Sequence, residues 1–255
     1  MTQRTTNELF DLSGKVAVVT GGSRGLGREM VLAFAAHGAD VVIASRKVSN
    51  CEVVADEVRS LGRRALGVGY HAANWSDADA LADAAYARFG RVDILVNNAG
   101  MSPLYPSLAE VSEELFDKVI GVNLKGPFRL SANIGARMVG GGGGSIINVS
   151  SVASRRPSPA EAPYAAAKAG INSLTKSLAA AYGPSVRVNC IVPGPFLTDI
   201  SKAWDIKTFN EHAKTAYALG RGGEPGEIVG AALYFASDAS SYTTGALLDI
   251  DGLPR

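Results

Sequence analysis

Cysteine and histidine are scarce in this sequence of 255 residues, which has two cysteines and three histidines. Cys51 and Cys190 lie far apart and form no CxxC pair, so a disulfide scaffold is excluded and a reducing compartment, the cytoplasm, is expected. The histidines, His37, His71 and His212, have no metal-ligand spacing with one another or with the cysteines. We therefore predict no metal site.

Aromatic residues and an excess of charge of one sign are also lacking. The formal net charge is +1 and aromatic residues make up 7% of the chain, so nothing favours a nucleic-acid surface. No apolar run reaches the ~18 residues that a membrane helix needs. The opening stretch MTQRTTNELFDLSGK has no apolar segment of the kind found in secretory signals. We expect no nucleic-acid partner and no membrane partner.

Apolar, β-branched runs alternate with amphipathic stretches of helical length along the chain. The runs predict seven strands: VAVVT (16–20), DVVIA (40–44), RALGVG (64–69), DILVNN (93–98), SIINVS (145–150), VRVNCIV (186–192) and ALLDI (246–250). The intervening stretches predict helices at about 25–38, 49–61, 76–89, 112–138, 163–182 and 225–237. Ser49 and Glu52 form a capping-box pattern, and Ser76 is a candidate cap for the third helix. This alternation predicts an α/β fold, a parallel sheet with helices on both faces.

No linker or charge block divides the sequence, so we predict a single domain over residues 1–255. The stretch 193–223 lacks a regular pattern, and loops of that length are usually lids or substrate loops. Its aromatic residues Trp204, Phe209 and Tyr217 could line a substrate pocket or could pack against neighbouring subunits.

A glycine-rich segment, TGGSRGLG (20–27), follows the first strand and opens a helix. Glycine lets the backbone approach a pyrophosphate closely, and a helix N-terminus offers free N–H groups and the positive end of a dipole. The spacing is GxxxGxG, and the lysine of a P-loop is absent. Between strand and helix, the segment favours dinucleotide binding over a plain glycine-rich turn.

The segment YAAAK places Tyr164 and Lys168 four positions apart on a predicted helix. Positions i and i+4 share one face, so the two side chains lie one turn from each other. Alone, this pair would be read as an ordinary surface tyrosine and lysine. The rest of the sequence changes that interpretation.

Six motifs occur in order: TGGSRGLG, NNAG (97–100), GVNLKGPF with Asn123, NVSS (148–151), YAAAK and PGPFLT (193–198). Together they resemble the short-chain dehydrogenase/reductase family from about Leu12 to Gly252. The overall resemblance is to 3-oxoacyl-acyl-carrier-protein reductases and to gluconate or glucose dehydrogenase-like members. It implies a Rossmann-type, doubly wound parallel sheet of about seven strands.

The resemblance implies a catalytic tetrad of Asn123, Ser151, Tyr164 and Lys168. Ser151 is chosen over Ser150 because the family's serine lies thirteen positions before its tyrosine. In this interpretation Ser151 holds the substrate oxygen and Tyr164 exchanges a proton with it. With cofactor bound, the charge of Lys168 would lower the tyrosine pKa. The resemblance also implies that Lys168 contacts the nicotinamide ribose and that Asn123 supports a water-linked proton relay.

The resemblance implies cofactor contacts from several segments. They are Gly21, Ser23, Arg24, Gly25, Leu26 and Gly27 in the first loop; Ser45 and Arg46 after the second strand; Asn74 and Trp75 after the third; Asn98, Ala99 and Gly100 after the fourth; Tyr164 and Lys168; and Pro193, Gly194, Phe196 and Thr198. In many relatives an aspartate at the position of Asn74 hydrogen-bonds the adenine, and an asparagine side chain also has an acceptor oxygen.

The end of the second strand bears on the choice of dinucleotide. An acidic residue there takes the ribose 2′-hydroxyl and selects NAD, but this chain has Ser45 followed by Arg46. Arg46 and Arg24 could both meet a 2′-phosphate. We therefore expect NADP to be preferred, with NAD also possible.

The resulting hypothesis is an oxidoreductase that interconverts a secondary alcohol and a ketone by hydride transfer with a nicotinamide cofactor. The substrate is either a 3-oxoacyl thioester or a sugar-acid or polyol-type ketone, and a homotetramer is expected. The alternative, a non-catalytic NAD(P)-binding regulator, is disfavoured because the tetrad is intact. Arg155 and Arg156 could meet an anionic substrate, although we favour solvated loop charges.

Overall fold

A computed structural model describes residues 5–198 and 205–254 of the protein. The seven predicted strands are confirmed: β1 Val16–Thr20, β2 Asp40–Ser45, β3 Ala65–Gly69, β4 Ile94–Asn97, β5 Gly144–Val149, β6 Val186–Pro193 and β7 Leu247–Ile250. They form one sheet in the order β3-β2-β1-β4-β5-β6-β7. Every neighbouring pair is parallel, as the Rossmann-type prediction requires.

The helices of the described residues are α1 Thr6–Leu9, α2 Gly25–Ala36, α3 Val48–Ser60, α4 Trp75–Phe89, α5 Glu113–Ile120, α6 Gly126–Gly140, α7 Ala162–Tyr182, α8 Ile206–Ala216 and α9 Val229–Ala236. Helices α2, α3 and α9 cover one face of the sheet, and α4, α6 and α7 cover the other. Within β1, Val19 packs into the first layer and Val18 into the second, because successive strand residues point to opposite faces. None of the described helices has the length and apolar character needed to cross a bilayer.

Both predicted helix caps are wrong. Helix α3 begins at Val48, and the Glu52 carboxylate accepts hydrogen bonds from the Gly67 amide at 3.1 Å and from Arg59 at 3.0 Å. Glu52 therefore ties α3 to β3 instead of completing a capping box. Helix α4 begins one residue before Ser76.

The predicted continuous helix 112–138 is divided. A π-helical segment, Gly121–Lys125, separates α5 from α6. The predicted irregular stretch 193–223 contains a regular helix, α8. Of its aromatic residues, Trp204 lies outside the described residues, the ring of Phe209 borders Gly222, and Tyr217 pairs with Pro254.

Candidate active site

The carboxyl ends of β1, β4, β5 and β6 meet at one edge of the sheet, where ligands bind in open α/β folds. The glycine-rich loop follows β1, Asn98 to Gly100 follow β4, Ser151 follows β5, and the segment from Gly194 follows β6. Four of the six motifs in the sequence, TGGSRGLG, NNAG, NVSS and PGPFLT, thus meet at the same edge of the sheet.

The glycine-rich loop depends on two of its glycines. Gly25 has a φ of +52°, in the left-handed region that disfavours side chains. A Cβ on Gly27 would lie 2.5 Å from Asn98 Nδ2 and still closer to the carbonyl oxygen of Gly21. Glycine at 27 therefore lets α2 pack directly on the loop. A Cβ on Gly25 would lie 3.6 Å from the Thr198 side chain, so the segment after β6 borders this loop.

The start of α2 fits the pyrophosphate of a dinucleotide. Arg24 occupies the N-cap position without a capping hydrogen bond from its side chain, and the first turn has no acidic residue. Within the described residues, no side chain thus caps the first amides of this helix. Free amides and the positive end of the helix dipole together suit an anionic group.

The end of β1 is locked to the loop after β4. Thr20 Oγ1 accepts hydrogen bonds from the amides of Asn98 and Ala99 at 3.0 and 3.1 Å. Asn98 Nδ2 in turn donates to the carbonyl oxygens of Thr20 and Gly21 at 3.0 and 3.3 Å. The Asn98 amide group therefore braces the glycine-rich loop, a role that the sequence did not predict.

The end of β2 presents basic residues. The Ser45 Oγ and Cys51 Sγ atoms share a hydrogen bond at 3.1 Å. Arg46 and Arg24 are both exposed, and neither guanidinium is paired with any residue that the structure describes. No carboxylate stands where an NAD-selecting residue would be.

The segment after β3 differs from the rest of the predicted cofactor contacts. Asn74 occupies the N-cap of α4 and is exposed. The ring of Trp75 lies 6.2 Å from that of Phe128, and the Arg129 guanidinium lies 4.8 Å above the indole. The Trp75 ring therefore packs against side chains of α6.

The Tyr164 phenol and the Ser151 hydroxyl lie side by side. Burial raises the pKa of Tyr164, a hydrogen bond with Ser151 lowers it, and the charge of Glu161 raises it. The sequence predicted a pKa lowered by Lys168 once cofactor is bound; in this structure burial dominates and the direction is upward. The neighbouring Ser150 hydroxyl donates to the Lys168 carbonyl oxygen at 3.1 Å and so is bonded to the backbone of α7.

The Lys168 ammonium is buried behind the tyrosine. Its Nζ donates to the carbonyl oxygen of Val149 at 2.8 Å and lies 5.5 Å from the centre of the Tyr164 ring. Burial lowers its pKa to about 8, and the interaction with Cys190 acts in the opposite direction. The lysine is therefore still mostly charged at neutral pH.

Asn123 belongs to the π-helical segment and is fully buried. Its Oδ1 accepts from the Met101 amide at 3.1 Å, and its Nδ2 donates to the carbonyl oxygens of Met101 and Val119, both at 2.9 Å. A Cβ on Gly100 would lie 3.0 Å from Asn123 Oδ1 and 3.5 Å from Lys168 Nζ. The structure thus brings Asn123, Gly100 and Lys168 together.

The segment after β6 is held by backbone pairing. Pro193 is the last residue of β6, and the Gly194 amide donates to the Ile250 carbonyl oxygen at 2.9 Å. Phe196 is buried and forms a backbone β-bridge with Gly223.

Two residues beside Tyr164, Tyr105 and Glu161, were not predicted from the sequence. The spacing of Glu161, three residues before Tyr164, was the available signal.

Comparisons with known proteins give one consistent result. The family model described as Enoyl-(Acyl carrier protein) reductase matches residues 21–252 of the chain. D-threitol dehydrogenase of Mycolicibacterium smegmatis is 38% identical over 95% of this chain and 94% of its own length. These matches cover nearly the whole of both chains.

Two solved structures show the same fold over almost their full lengths. A gluconate 5-dehydrogenase from Burkholderia cenocepacia in complex with NADP and tartrate is 33% identical, with a TM-score of 0.92 over 97% of this chain and 98% of that one. A 7 alpha-hydroxysteroid dehydrogenase complexed with NADH and 7-oxo glycochenodeoxycholic acid is 32% identical, with a TM-score of 0.93 over 98% of this chain and 97% of that one. The two proteins differ in the dinucleotide bound and in the substrate named. Similarity alone therefore identifies neither the dinucleotide nor the substrate of this chain.

Proposed function

The chain belongs to the short-chain dehydrogenase/reductase family, and we propose that this oxidoreductase interconverts a secondary alcohol and a ketone with NADP as its preferred dinucleotide. The observation that carries the proposal is the grouping of Ser151, Tyr164 and Lys168, with Lys168 close to Gly100 in the loop after β4. Hydrogen bonds between Thr20 and Asn98 join that loop to the glycine-rich segment that fits a pyrophosphate.

The proposed chemistry divides between cofactor and protein. The nicotinamide, when bound, supplies or accepts the hydride at the carbonyl carbon. Ser151 holds the substrate oxygen, while Tyr164 gives that oxygen a proton in reduction and takes it back in oxidation. Because burial raises the Tyr164 pKa, the phenol is protonated at neutral pH, which suits reduction of a ketone.

Lys168 and Asn123 have supporting roles in this proposal. Lys168, anchored through Val149, binds the nicotinamide ribose and favours the phenolate form of Tyr164 electrostatically. Asn123 holds the loop after β4 through Met101 and supports a water-linked relay that returns protons to Lys168.

The proposed cofactor contacts follow from the same edge of the sheet. The backbone of Gly21 to Gly27 holds the pyrophosphate at the start of α2. The loop after β4, with Asn98, Ala99 and Gly100, borders the ribose. The Thr198 side chain borders Gly25 of the glycine-rich loop. This position at the cofactor edge supports a contact between Thr198 and the nicotinamide.

The preference for NADP rests on Arg24 and Arg46, whose guanidinium groups are unpaired among the described residues. One charged hydrogen bond to the 2′-phosphate contributes about 1.5–3 kcal/mol, which corresponds to roughly ten- to a hundredfold discrimination. The test compares kcat/KM for NADPH and NADH in the wild type, in Arg46→Ala and in Ser45→Asp. Arg88→Ala, at the far end of α4, is the control. Equal efficiency in the wild type, or an unchanged preference in both loop variants, would contradict the proposal.

We further propose that the chain forms one domain over residues 1–255, assembles as a homotetramer and works in the cytoplasm on a small carbonyl or alcohol substrate. Helices α5, α6 and α7 offer apolar surface for assembly. Light scattering that finds a monomer at micromolar concentration would contradict the tetramer. Assays with a panel of ketones and alcohols, including a 3-oxoacyl thioester, sugar acids and polyols, test the activity itself.

A further inference from the structure

A narrow, shallow crevice lies beside Tyr164, between the loop after β4, helix α5 and the start of α7. It is lined by Pro103, Tyr105, Leu115, Val119, Glu161, Pro163 and Tyr164. Of these lining residues, only Glu161 has a carboxyl or a basic side chain. The crevice is next to the residue that exchanges a proton with the substrate oxygen in the function proposed above.

The Glu161 carboxylate is partly buried. Among the residues that the structure describes, none forms an ion pair with it or donates a hydrogen bond to it. Burial raises the pKa of Glu161, and its charge raises the pKa of Tyr164. A partly buried acceptor without a donor is completed by water or by a ligand that brings hydroxyl groups.

Tyr105 fixes the backbone on both sides of Glu161. Its hydroxyl donates to the carbonyl oxygen of Pro159 at 2.6 Å and accepts from the amide of Ala162 at 2.7 Å. The 3-10 turn that ends at Glu161 is therefore tied to the loop after β4. The backbone that carries Glu161 is thus fixed before any substrate arrives, which reduces the entropy cost of binding.

The arginines that could recognise an anionic substrate are engaged elsewhere. Arg155 forms an ion pair with Asp249, and Arg156 donates to the carbonyl oxygen of Pro254 at 2.9 Å. Both line a separate cavity of about 130 Å³ that also contains Asp251. Within the described residues, the crevice beside Tyr164 thus offers a carboxylate and no cation.

We propose, resting on the oxidoreductase function above, that the substrate is a neutral polyhydroxy alcohol or the corresponding ketone, and that Glu161 selects it by accepting a hydrogen bond from a hydroxyl next to the reacting carbon. In oxidation, that carbon loses a hydride to the oxidised nicotinamide dinucleotide and its hydroxyl loses a proton to deprotonated Tyr164, which leaves a ketone. A sugar acid would place a second carboxylate near Glu161, and the two charges would repel. An acyl chain would cover the carboxylate without offering it a donor.

The test uses matched substrates that differ in one terminal group. The kcat/KM for D-threitol is compared with that for D-threonate, and D-glucitol with D-gluconate, with NADP and with NAD. Acetoacetyl-CoA is assayed as the thioester in the direction of reduction. Wild type, Glu161→Gln and Glu161→Asp are compared, with Glu113→Gln as the control, because Glu113 is exposed and lies two residues from Leu115 on the other side of α5.

The expected result is that the wild type prefers a polyol over its acid by at least tenfold, and that E161Q reduces this ratio at least tenfold. E161D should keep the preference for the polyol, and Glu113→Gln should match the wild type. If the wild type prefers an acid or the thioester, or if E161Q leaves the ratio unchanged, the substrate inference is wrong and the oxidoreductase function stands. Absence of turnover with every substrate and both dinucleotides would contradict the proposed function itself. If E161Q does not fold, the inference is tested by the wild-type ratios of kcat/KM for each polyol and its acid, and by the activity of E161D.

Discussion

The Lys168 ammonium lies 5.5 Å from the centre of the Tyr164 ring, one helical turn further along α7, and is anchored to the carbonyl oxygen of Val149. Burial acts on the two groups in opposite senses, since it raises the pKa of the phenol and lowers that of the ammonium to about 8. At neutral pH the pair is therefore a neutral phenol beside a mostly charged amine. The following predictions test this arrangement and its surroundings.

Replacing Tyr164 by phenylalanine removes only the hydroxyl, so the fold and dinucleotide binding should be retained while turnover is almost lost. We expect kcat/KM to fall by more than tenfold at neutral pH, a loss of more than about 1.4 kcal/mol of transition-state stabilisation. Circular dichroism and dinucleotide titration check the first expectation, and steady-state kinetics the second. Tyr242→Phe, at a fully exposed position, is the control. A variant that retains more than a tenth of the wild-type rate would show that another group moves the proton.

The lowered pKa of Lys168 predicts a pH dependence of stability. Between pH 8 and the unfolded value near 10.5, the unfolded chain binds more protons than the native one, so the free energy of unfolding rises with pH. The Lys168→Met variant lacks this pH-dependent contribution to the free energy of unfolding. The difference between wild type and variant should therefore shift in favour of the wild type across this interval, by about 3 kcal/mol at most.

Denaturant unfolding of both proteins at pH 7, 8, 9 and 10 measures this difference, because other titrating groups cancel. The groups that face Lys168 are Tyr164, with a raised pKa, and Cys190, whose pKa burial raises to about 11. Both titrate mainly above the measured range. A difference that stays constant from pH 7 to 10 would mean that the lysine is not buried as described.

Gly27→Ala should damage the glycine-rich loop. The new Cβ would lie 2.5 Å from Asn98 Nδ2 and would contact the Gly21 carbonyl oxygen more closely still, so backbone must move. We expect a loss of about 1–3 kcal/mol in the free energy of unfolding and much weaker dinucleotide binding.

Gly230→Ala is the matched control for that experiment. Gly230 lies within α9, is exposed, and a Cβ there would meet no atom within 4 Å. This variant should gain about 0.5–1 kcal/mol in stability and bind dinucleotide normally. Equal effects of the two substitutions would show that close packing at Gly27 is unimportant.

Glu161→Gln should also change the pH profile of alcohol oxidation. Oxidation needs the deprotonated phenol, so its rate rises as pH passes the Tyr164 pKa. Removing the negative charge of Glu161, which raises that pKa, should move the midpoint to lower pH, while Ser151 and Lys168 remain. The profile of kcat/KM against pH measures the shift, with Glu113→Gln expected to match the wild type. A midpoint moved upward, or not moved, would place Glu161 too far from the phenol to act on it.

The strands could be predicted because their signal is local. Val18, Val42 and Leu95 are fully buried in runs of apolar residues that only a sheet covered on both faces requires. Helix α8 was missed although its signal is equally local, since the Asp205 carboxylate accepts from the amides of Lys207 and Thr208 at 3.1 and 3.2 Å. The local capping residue Asp205 was therefore present in the sequence, and α8 could have been predicted from it.

Other features depend on contacts that no short window contains. The π-helical segment accompanies the hydrogen bonds between Asn123 and Met101, which belongs to the loop after β4. Gly126, where α6 begins, sits directly against the Ala72 carbonyl. Glu52 matched a capping box, but its carboxylate bonds to β3. Likewise, the tertiary arrangement, and no local pattern, determines that none of the described residues pairs with the Glu161 carboxylate.

The strand order has a consequence for synthesis of the chain on the ribosome. Strand β4 pairs with β1 on one side and with β5 on the other, and the segment between Asn97 and Gly144 must be translated before the second partner exists. Until then the nascent protein carries β4 as an open edge, the kind of surface on which unfinished chains associate. Chaperone binding and aggregation of ribosome-bound intermediates should therefore be greatest while the residues from α5 to the end of α6 are emerging.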